Sequence, residues 1–206
     1  AINLVNSKAL IQRNYFFDIY NKNGFYHSNS YGQAINIDYR SSASTLPLTA
    51  IIGGEGANEP NFFTNVNIGV RVSNTRSSST FNIIGNVFDN SSFQNDGGFG
   101  SNFNRTAITI QSPGGIITGS TLVNSNTIID FRIGIHAIHN PGVRIGSDLA
   151  DDPFPNNISF HLGPIPAITE FYAGIWLQRC NGAFITGDNS NSLPDIENNV
   201  EVTSTG

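Results

Sequence analysis

Six short stretches of the sequence share one apolar–polar–apolar pattern and recur at an irregular interval. They occupy positions 2–4, 35–37, 70–72, 108–110, 135–137 and 175–177, and their first residues are 33, 35, 38, 27 and 40 positions apart. Alternation of this kind is typical of a strand with one buried face. A recurring strand with a variable interval near 35 residues predicts a solenoid whose turns differ in length while its core does not.

Two further segments recur between these stretches. One ends on isoleucine followed by small and polar residues, at 51–54, 83–86, 117–120, 145–148 and 185–188, with 9–11 as the matching piece of the first coil. The other begins at an asparagine before a bulky apolar residue: Asn61, Asn102, Asn157 and Asn199, with Asn14 and Asn126 as looser cases. Stacked asparagines can bond from rung to rung. The sequence therefore predicts an all-β fold, a parallel β-helix of about six coils with three strands each, spanning 1–206 as a single domain.

Composition limits the partners of such a solenoid. Charged residues make up 12% of the chain and its formal net charge is −5, so it offers no basic surface for nucleic acid. No apolar run approaches the ~18 residues needed to cross a bilayer, which argues against membrane insertion. The single cysteine, Cys180, has no internal disulfide partner, and we expect it to be structural. Low charge with many Asn, Ser, Thr and Gly residues favours an extracellular or cell-surface location.

Segments such as 84–88 (Ile-Gly-Asn-Val-Phe) and 174–177 (Gly-Ile-Trp-Leu) resemble the right-handed parallel β-helix family. This pectate-lyase-like family includes polysaccharide-degrading enzymes, phage tailspikes and large exported adhesins. The resemblance covers nearly the whole chain and implies a right-handed coil, which parallel crossovers generally prefer. It also implies that a substrate groove, where there is one, follows the outer face of the first strands.

The outward column on that face can be read from the alternation. It consists of Asn3, Asn36, Arg71, Thr109, His136 and Trp176, with Asp38, Ser73, Gln111 and Gln178 two residues further along. A solvent-facing Trp can stack on a sugar ring while polar neighbours bond its hydroxyls. We therefore predict Arg71, His136, Trp176 and Gln178 as ligand-binding residues. The alternative is that a long loop covers Trp176.

Catalysis has weaker candidates. Glycoside hydrolysis usually needs two carboxylates about 5–10 Å apart, and a calcium site takes about six to eight oxygen ligands. The column contains one carboxylate, Asp38. The adjacent pair Asp151 and Asp152 resembles the paired aspartates of polygalacturonases, but the accompanying Gly-His-Gly and Arg-Ile-Lys motifs are absent. Asp38, Asp151 and Asp152 are therefore weak catalytic candidates, and we expect neither a metal site nor a cofactor.

The chain begins inside a first strand and stops shortly after Asn199, without a recognisable cap at either end. Because a solenoid otherwise exposes its core at both ends, we expect a segment of a longer chain, with the remaining coils as its neighbours. The first hypothesis for its function is a structural or adhesive segment of a large secreted or cell-surface bacterial protein, with carbohydrate or another cell-surface protein as its ligand. The alternatives are a fragment of a polysaccharide lyase or glycoside hydrolase, and the body of a trimeric phage tailspike.

Overall fold

The described part of the chain is built from strands. The computed structural model describes residues 1–19, 32–39, 47–54, 59–74, 79–92, 105–112, 120–140, 142–146, 156–162, 173–180, 183–185 and 199–204. Its strands are β1 (Ile2–Val5), β2 (Ala9–Ile11), β3 (Tyr15–Ile19), β4 (Gln33–Tyr39), β5 (Leu48–Gly53), β6 (Phe62–Val66), β7 (Ile68–Asn74), β8 (Ser79–Ile84), β9 (Val87–Asp89), β10 (Thr106–Gln111), β11 (Thr121–Asn124), β12 (Thr127–Ile129), β13 (Ile133–Ile138), β14 (Val143–Ile145), β15 (Asn157–Leu162), β16 (Ala173–Gln178), β17 (Phe184–Ile185) and β18 (Asn199–Ser204).

These strands form three parallel sheets of six strands each. Sheet A has the order β1-β4-β7-β10-β13-β16, sheet B the order β2-β5-β8-β11-β14-β17, and sheet C the order β3-β6-β9-β12-β15-β18. Each strand pairs with the strand three places further along the chain, so three strands make one coil and six coils stack. The fold is a parallel β-helix, as the strand pattern predicts.

The register of sheet A is the one expected from the sequence. Ile35 pairs with Ile2 and Val70, and Ile108 pairs with Val70 and Ile135. Ile35, Val70, Ile108 and Ile135 have no exposed surface and belong to one hydrophobic core that runs through the coils. Burial of each aliphatic side chain contributes about 1.5–3 kcal/mol, so the stacked columns supply the main favourable term of folding.

Two of the predicted strand positions are wrong. The third strand of the third coil is β9, which follows β8 after two residues, and not a segment at Asn102, which lies outside the described residues. Gly85 takes a φ of 65° there, a left-handed conformation that lets the chain turn at once from sheet B into sheet C. The second strand of the fourth coil is β11, where Val123 pairs with Ile83 and Ile145; positions 117–119 are not described.

A ladder of asparagines lines the turn between sheets B and C. Its members are Asn14, Asn61, Asn86, Asn126 and Asn156, joined by side-chain hydrogen bonds of 2.9–3.0 Å. Asn86 and Asn156 take the places that the sequence assigned to Asn102 and Asn157. Asn157 instead lies in β15 with an exposed side chain. Asn199, predicted at the same corner, pairs in register with Asn157 on β18 and so also lies one residue past the ladder position. The predicted kind of ladder is therefore present, with these positions shifted by one residue or replaced.

Small residues occupy a second column at the start of the sheet A strands. They are Ala34, Gly69, Ala107, Gly134 and Gly174, each one residue before the first aliphatic position. A Cβ on Gly69 would lie 2.4 Å from Cε1 of Phe88, and one on Gly134 would lie 2.5 Å from the carbonyl oxygen of Gly174. At the start of the sheet A strands the backbone lies so close to neighbouring atoms of the core that only glycine or alanine fits.

Candidate functional site

The outer face of sheet A carries two columns of side chains in register. One column is Asn3, Asn36, Arg71, Thr109, His136 and Trp176; the other is Val5, Asp38, Ser73, Gln111, Ile138 and Gln178. Because side chains alternate along a strand, both columns point away from the core. The structure thus places the sequence-predicted residues on one face.

The last two coils bring four of these side chains into a compact array. His136 and Ile138 lie on β13, and Trp176 and Gln178 lie opposite them on β16. The imidazole of His136 and the indole of Trp176 are stacked, with ring centroids 4.3 Å apart and ring planes 3° from parallel. Trp176 is half-buried, and one face of its indole is covered by His136. We call His136, Ile138, Trp176 and Gln178 the β13–β16 array.

A hydrogen bond fixes the orientation of the imidazole. Nε2 of His136 lies 3.1 Å from Oε1 of Gln178. A carboxamide oxygen only accepts hydrogen bonds, so Nε2 carries a proton and donates it. Burial lowers the pKa of His136, while the hydrogen bond to Gln178 acts in the opposite direction. The described strands β10, β13 and β16 contain no carboxylate that would favour the charged ring. The ring is therefore neutral at neutral pH.

Arg71 does not join this array. It lies two rungs away from His136, roughly 9–10 Å along the solenoid. Arg71 and Asp38 instead line an open cavity of about 480 Å³ with Asn3, Asn36 and Ser73. Nδ2 of Asn36 donates to Oδ1 of Asn3 at 2.8 Å, so amide groups connect the first two rungs of this cavity. The predicted ligand-binding residues therefore fall into two groups on one face.

Of the weak catalytic candidates, Asp38 is the one that lies among the described residues. Asp38 pairs in register with Val5 and Ser73, and it is the only carboxylate on the described outer face of sheet A. Asp151 and Asp152 lie outside the described residues. Among the residues that are described, no three His, Cys, Asp or Glu side chains are grouped so that they could hold a metal ion.

Ile138 is the one member of the array that the sequence analysis did not identify. Ile138 follows His136 by two positions, so strand alternation could have put both side chains on the same face.

Cys180 is half-buried in the turn after β16, where its Sγ lies 3.4 Å from the backbone nitrogen of Asn140 and 3.3 Å from the carbonyl oxygen of Ala137. These backbone contacts agree with a structural role for the thiol.

Comparison with known proteins finds no matching family model, no matching curated protein and no matching solved structure. The described part of the chain has no helix long and apolar enough to cross a membrane.

Proposed function

We propose that this chain is a non-catalytic β-helix segment of a secreted or cell-surface bacterial protein, and that it binds a neutral carbohydrate on the outer face of sheet A. The β13–β16 array is the observation that carries this proposal. It combines an aromatic surface with uncharged hydrogen-bonding groups, the combination by which proteins hold sugars.

The shape of the face supports an extended ligand. Each rung presents one pair of outward side chains, and successive rungs lie about 4.8 Å apart along the solenoid. Each rung of this face, from Asn3 on β1 to Gln178 on β16, carries at least one polar side chain. Within the described residues, all of these rungs belong to sheet A. A linear glycan that lies along the solenoid would contact several rungs at once, and the weak contacts at each rung would add.

Two features support a binding role over an enzymatic one. Asp38 has no second carboxylate on the described outer face of sheet A, whereas glycoside hydrolysis by the usual route requires two. The array contains no nucleophile and no group whose pKa is raised to act as an acid. The low proportion of charged residues supports the extracellular location, and the coil pattern supports a relationship to the right-handed, pectate-lyase-like β-helices.

A glycan-binding screen with the purified chain tests the proposal. The intact chain should retain at least one neutral glycan, and Trp176→Ala should weaken that binding by more than about tenfold, as expected for an aromatic anchor. Tyr15→Ala is a matched control, since Tyr15 is an aromatic residue 72% exposed on sheet C. Release of shortened or unsaturated products from any glycan, lost on Asp38→Asn, would establish the enzymatic alternative instead.

A further inference from the structure

Two basic side chains lie together at the corner between sheets A and B in the last two coils. His139 follows β13 and Arg179 follows β16, and both have a left-handed backbone conformation, with φ of 51° and 53°. The backbone nitrogen of His139 donates to the carbonyl oxygen of Gln178 at 2.8 Å, so the two turns are stacked one rung apart. Nη1 of Arg179 lies 3.3 Å from Nε2 of His139. We call His139 and Arg179 the corner pair.

The contact within the corner pair fixes the hydrogen-bonding roles of both side chains. A guanidinium group only donates, so Nε2 of His139 is the acceptor and the proton of the neutral imidazole is on Nδ1. The bond uses one N–H of Nη1. It leaves the edge formed by Nε and Nη2 of Arg179, whose two N–H groups point the same way. Arg179 is exposed, and its side chain makes no further polar contact within the described residues. A complete two-donor edge therefore faces solvent.

The elements around the corner pair carry no acidic residue. The turns at 112–120, 139–142 and 179–183 contain no Asp or Glu in the sequence. The strands β10, β13, β14, β16 and β17 contain none either. The whole chain has 15 acidic residues against 10 Lys and Arg residues, so this corner is an exception to its charge balance. Basic groups without acidic neighbours attract an anionic group.

We propose that the corner pair binds the carboxylate of an acidic sugar. The edge formed by Nε and Nη2 of Arg179 donates two parallel hydrogen bonds to the two carboxylate oxygens, the fork geometry that arginine favours. The bond from Nη1 to His139 holds the guanidinium in place, so less side-chain freedom is lost on binding. Arg179 is thus the binding residue, and His139 is its positioning residue.

The location of the corner favours a sugar as the source of the carboxylate. Arg179 directly follows Gln178, the last outward residue of β16, so the corner pair lies at the edge of the outer face of sheet A. Each rung of that face carries a polar side chain, which suits a hydroxylated ligand better than the apolar centre of a protein interface. In this respect the inference rests on the proposed function and extends it. The ligand is neutral along sheet A and carries a carboxylate where it reaches the corner.

Protonation of His139 should strengthen the binding. A protonated Nε2 no longer accepts from Arg179, and the carboxylate then takes its place as the partner of Nη1 between two cationic groups. The other titratable or charged side chains on the described elements around His139 are His136 on β13, Arg144 on β14 and Cys180 after β16. None of these is a carboxylate that would neutralise the added charge. Affinity should therefore rise as the pH falls through the histidine range.

Nuclear magnetic resonance measures the binding at the two side chains themselves, through the side-chain carbon resonances of Arg179 and the ring protons of His139. The probes are the methyl glycosides of glucuronate and of glucose, which differ only in the carboxylate at C6, with sodium acetate and a tetraglutamate peptide for comparison. The glucuronide should shift both sets of resonances, and the glucoside should shift neither. It should bind about threefold more tightly than acetate, because its hydroxyl groups add hydrogen bonds beside the corner.

The dependence on pH and salt provides a second readout. Affinity for the glucuronide should rise about two- to fivefold from about pH 8 to about pH 5, the worth of one exposed charge pair. It should fall when the salt concentration is raised from about 0.1 M to about 1 M, because both partners are exposed to solvent.

Variants separate the two members of the corner pair. Arg179→Gln should weaken binding of the glucuronide about three- to tenfold, since it removes the charged two-donor edge. Arg144→Gln is the matched control, because it removes the same charge from an exposed arginine on sheet B, and it should leave the affinity nearly unchanged. His139→Gln keeps an acceptor for Arg179 but cannot be protonated. It should bind the glucuronide at about pH 8 and lose the increase at about pH 5.

The outcomes distinguish this inference from the proposed function. Equal affinity for glucuronide and glucoside, no shift at Arg179 with the glucuronide, or equal losses in Arg179→Gln and Arg144→Gln would overturn the corner site and leave a carbohydrate site on sheet A standing. Binding of acetate or tetraglutamate as tight as that of the glucuronide overturns the acidic sugar as the ligand. Failure of the chain to retain any neutral glycan in the screen, while the glucuronide still shifts Arg179 and His139, overturns the proposed function alone.

Discussion

At the scale of single residues, the asparagine ladder shows how a polar side chain can be buried and still make its hydrogen bonds. Asn86 is fully buried, and its amide nitrogen donates to the carbonyl oxygen of Ile52 at 2.9 Å and to Oδ1 of Asn126 at 3.0 Å. Its Oδ1 accepts from Nδ2 of Asn61 at 2.9 Å. All of these groups have lost their water, so each depends on Asn86 for its hydrogen bond.

Removing one member of the ladder should therefore be costly. Asn86→Ala leaves several buried polar atoms without partners, and we expect a loss of about 2–4 kcal/mol in the free energy of unfolding. Urea denaturation followed by circular dichroism measures it. Asn82→Ala is the control, because Asn82 lies on β8 with a partly exposed side chain, and it should change the free energy by less than about 0.5 kcal/mol. A cost for Asn86→Ala as small as that of the control would refute the structural role of the ladder.

The titration of His136 is a second property of a single residue. Burial lowers its pKa from the usual 6.5, so folding favours the neutral ring. The stability that comes from the neutral ring is complete above pH 6.5 and is lost as the pH falls below 6.5 towards the lower folded-state pKa. A protonated imidazole stacked on Trp176 should quench the indole fluorescence. We expect a fluorescence titration with a midpoint below 6.5 that is absent in His136→Phe. A midpoint above 6.5 would contradict the assigned environment.

At the scale of elements, aromatic rings reinforce the start of sheet C. Phe16, Phe63 and Phe88 occupy successive strands and stack with centroid separations of 4.9 and 4.5 Å, and Phe131 meets Phe88 edge-on. In the next two coils Ile128 and Ile158 continue the inward column. The aromatic stack therefore belongs to the first three coils and gives them a larger apolar contact area than aliphatic residues alone.

The middle ring of this stack should matter most. Phe63 is fully buried between Phe16 and Phe88, so Phe63→Ala leaves a cavity and should cost about 3–5 kcal/mol in the free energy of unfolding. Phe17→Ala is the control from the neighbouring strand β3, where Phe17 is 68% exposed, and its effect should stay within about 0.5 kcal/mol. Guanidinium denaturation of both variants gives the comparison. Equal costs for the two would contradict the inward placement of Phe63.

Elements also show which parts of the fold a sequence can reveal. The strands of sheet A were predictable because Ile35, Val70 and Ile108 repeat a local alternation that needs no knowledge of distant residues. The strand β9 was missed because it follows β8 after only two residues, whereas the sequence pattern of an asparagine before a bulky apolar residue pointed to Asn102. The need for a small residue at Gly69 was not predictable either, since it arises from the ring of Phe88 in another sheet.

At the scale of the whole molecule, the candidate site exists because the coils stack in register. The column that contains His136 and Trp176 followed from the repeat, and so did the position of Gln178 beside it. The stacking of the two rings and the hydrogen bond between His136 and Gln178 depend on side-chain torsions that the sequence does not specify. The separation of Arg71 from the array follows from counting rungs, which required the correct pairing of β7, β10 and β13.

The central claim is that residues one coil apart are direct neighbours, so that His136 and Trp176, 40 positions apart in the sequence, touch. Proton–proton nuclear Overhauser effects test it most directly, because the one indole of the chain gives unambiguous resonances. The account predicts strong effects between the ring protons of His136 and those of Trp176, together with backbone effects between Ile135 and Ile175. Effects that instead connect His136 with Ile175 or Leu177 would mean a register shifted by one residue, and the absence of any effect between β13 and β16 would contradict the stacked coils.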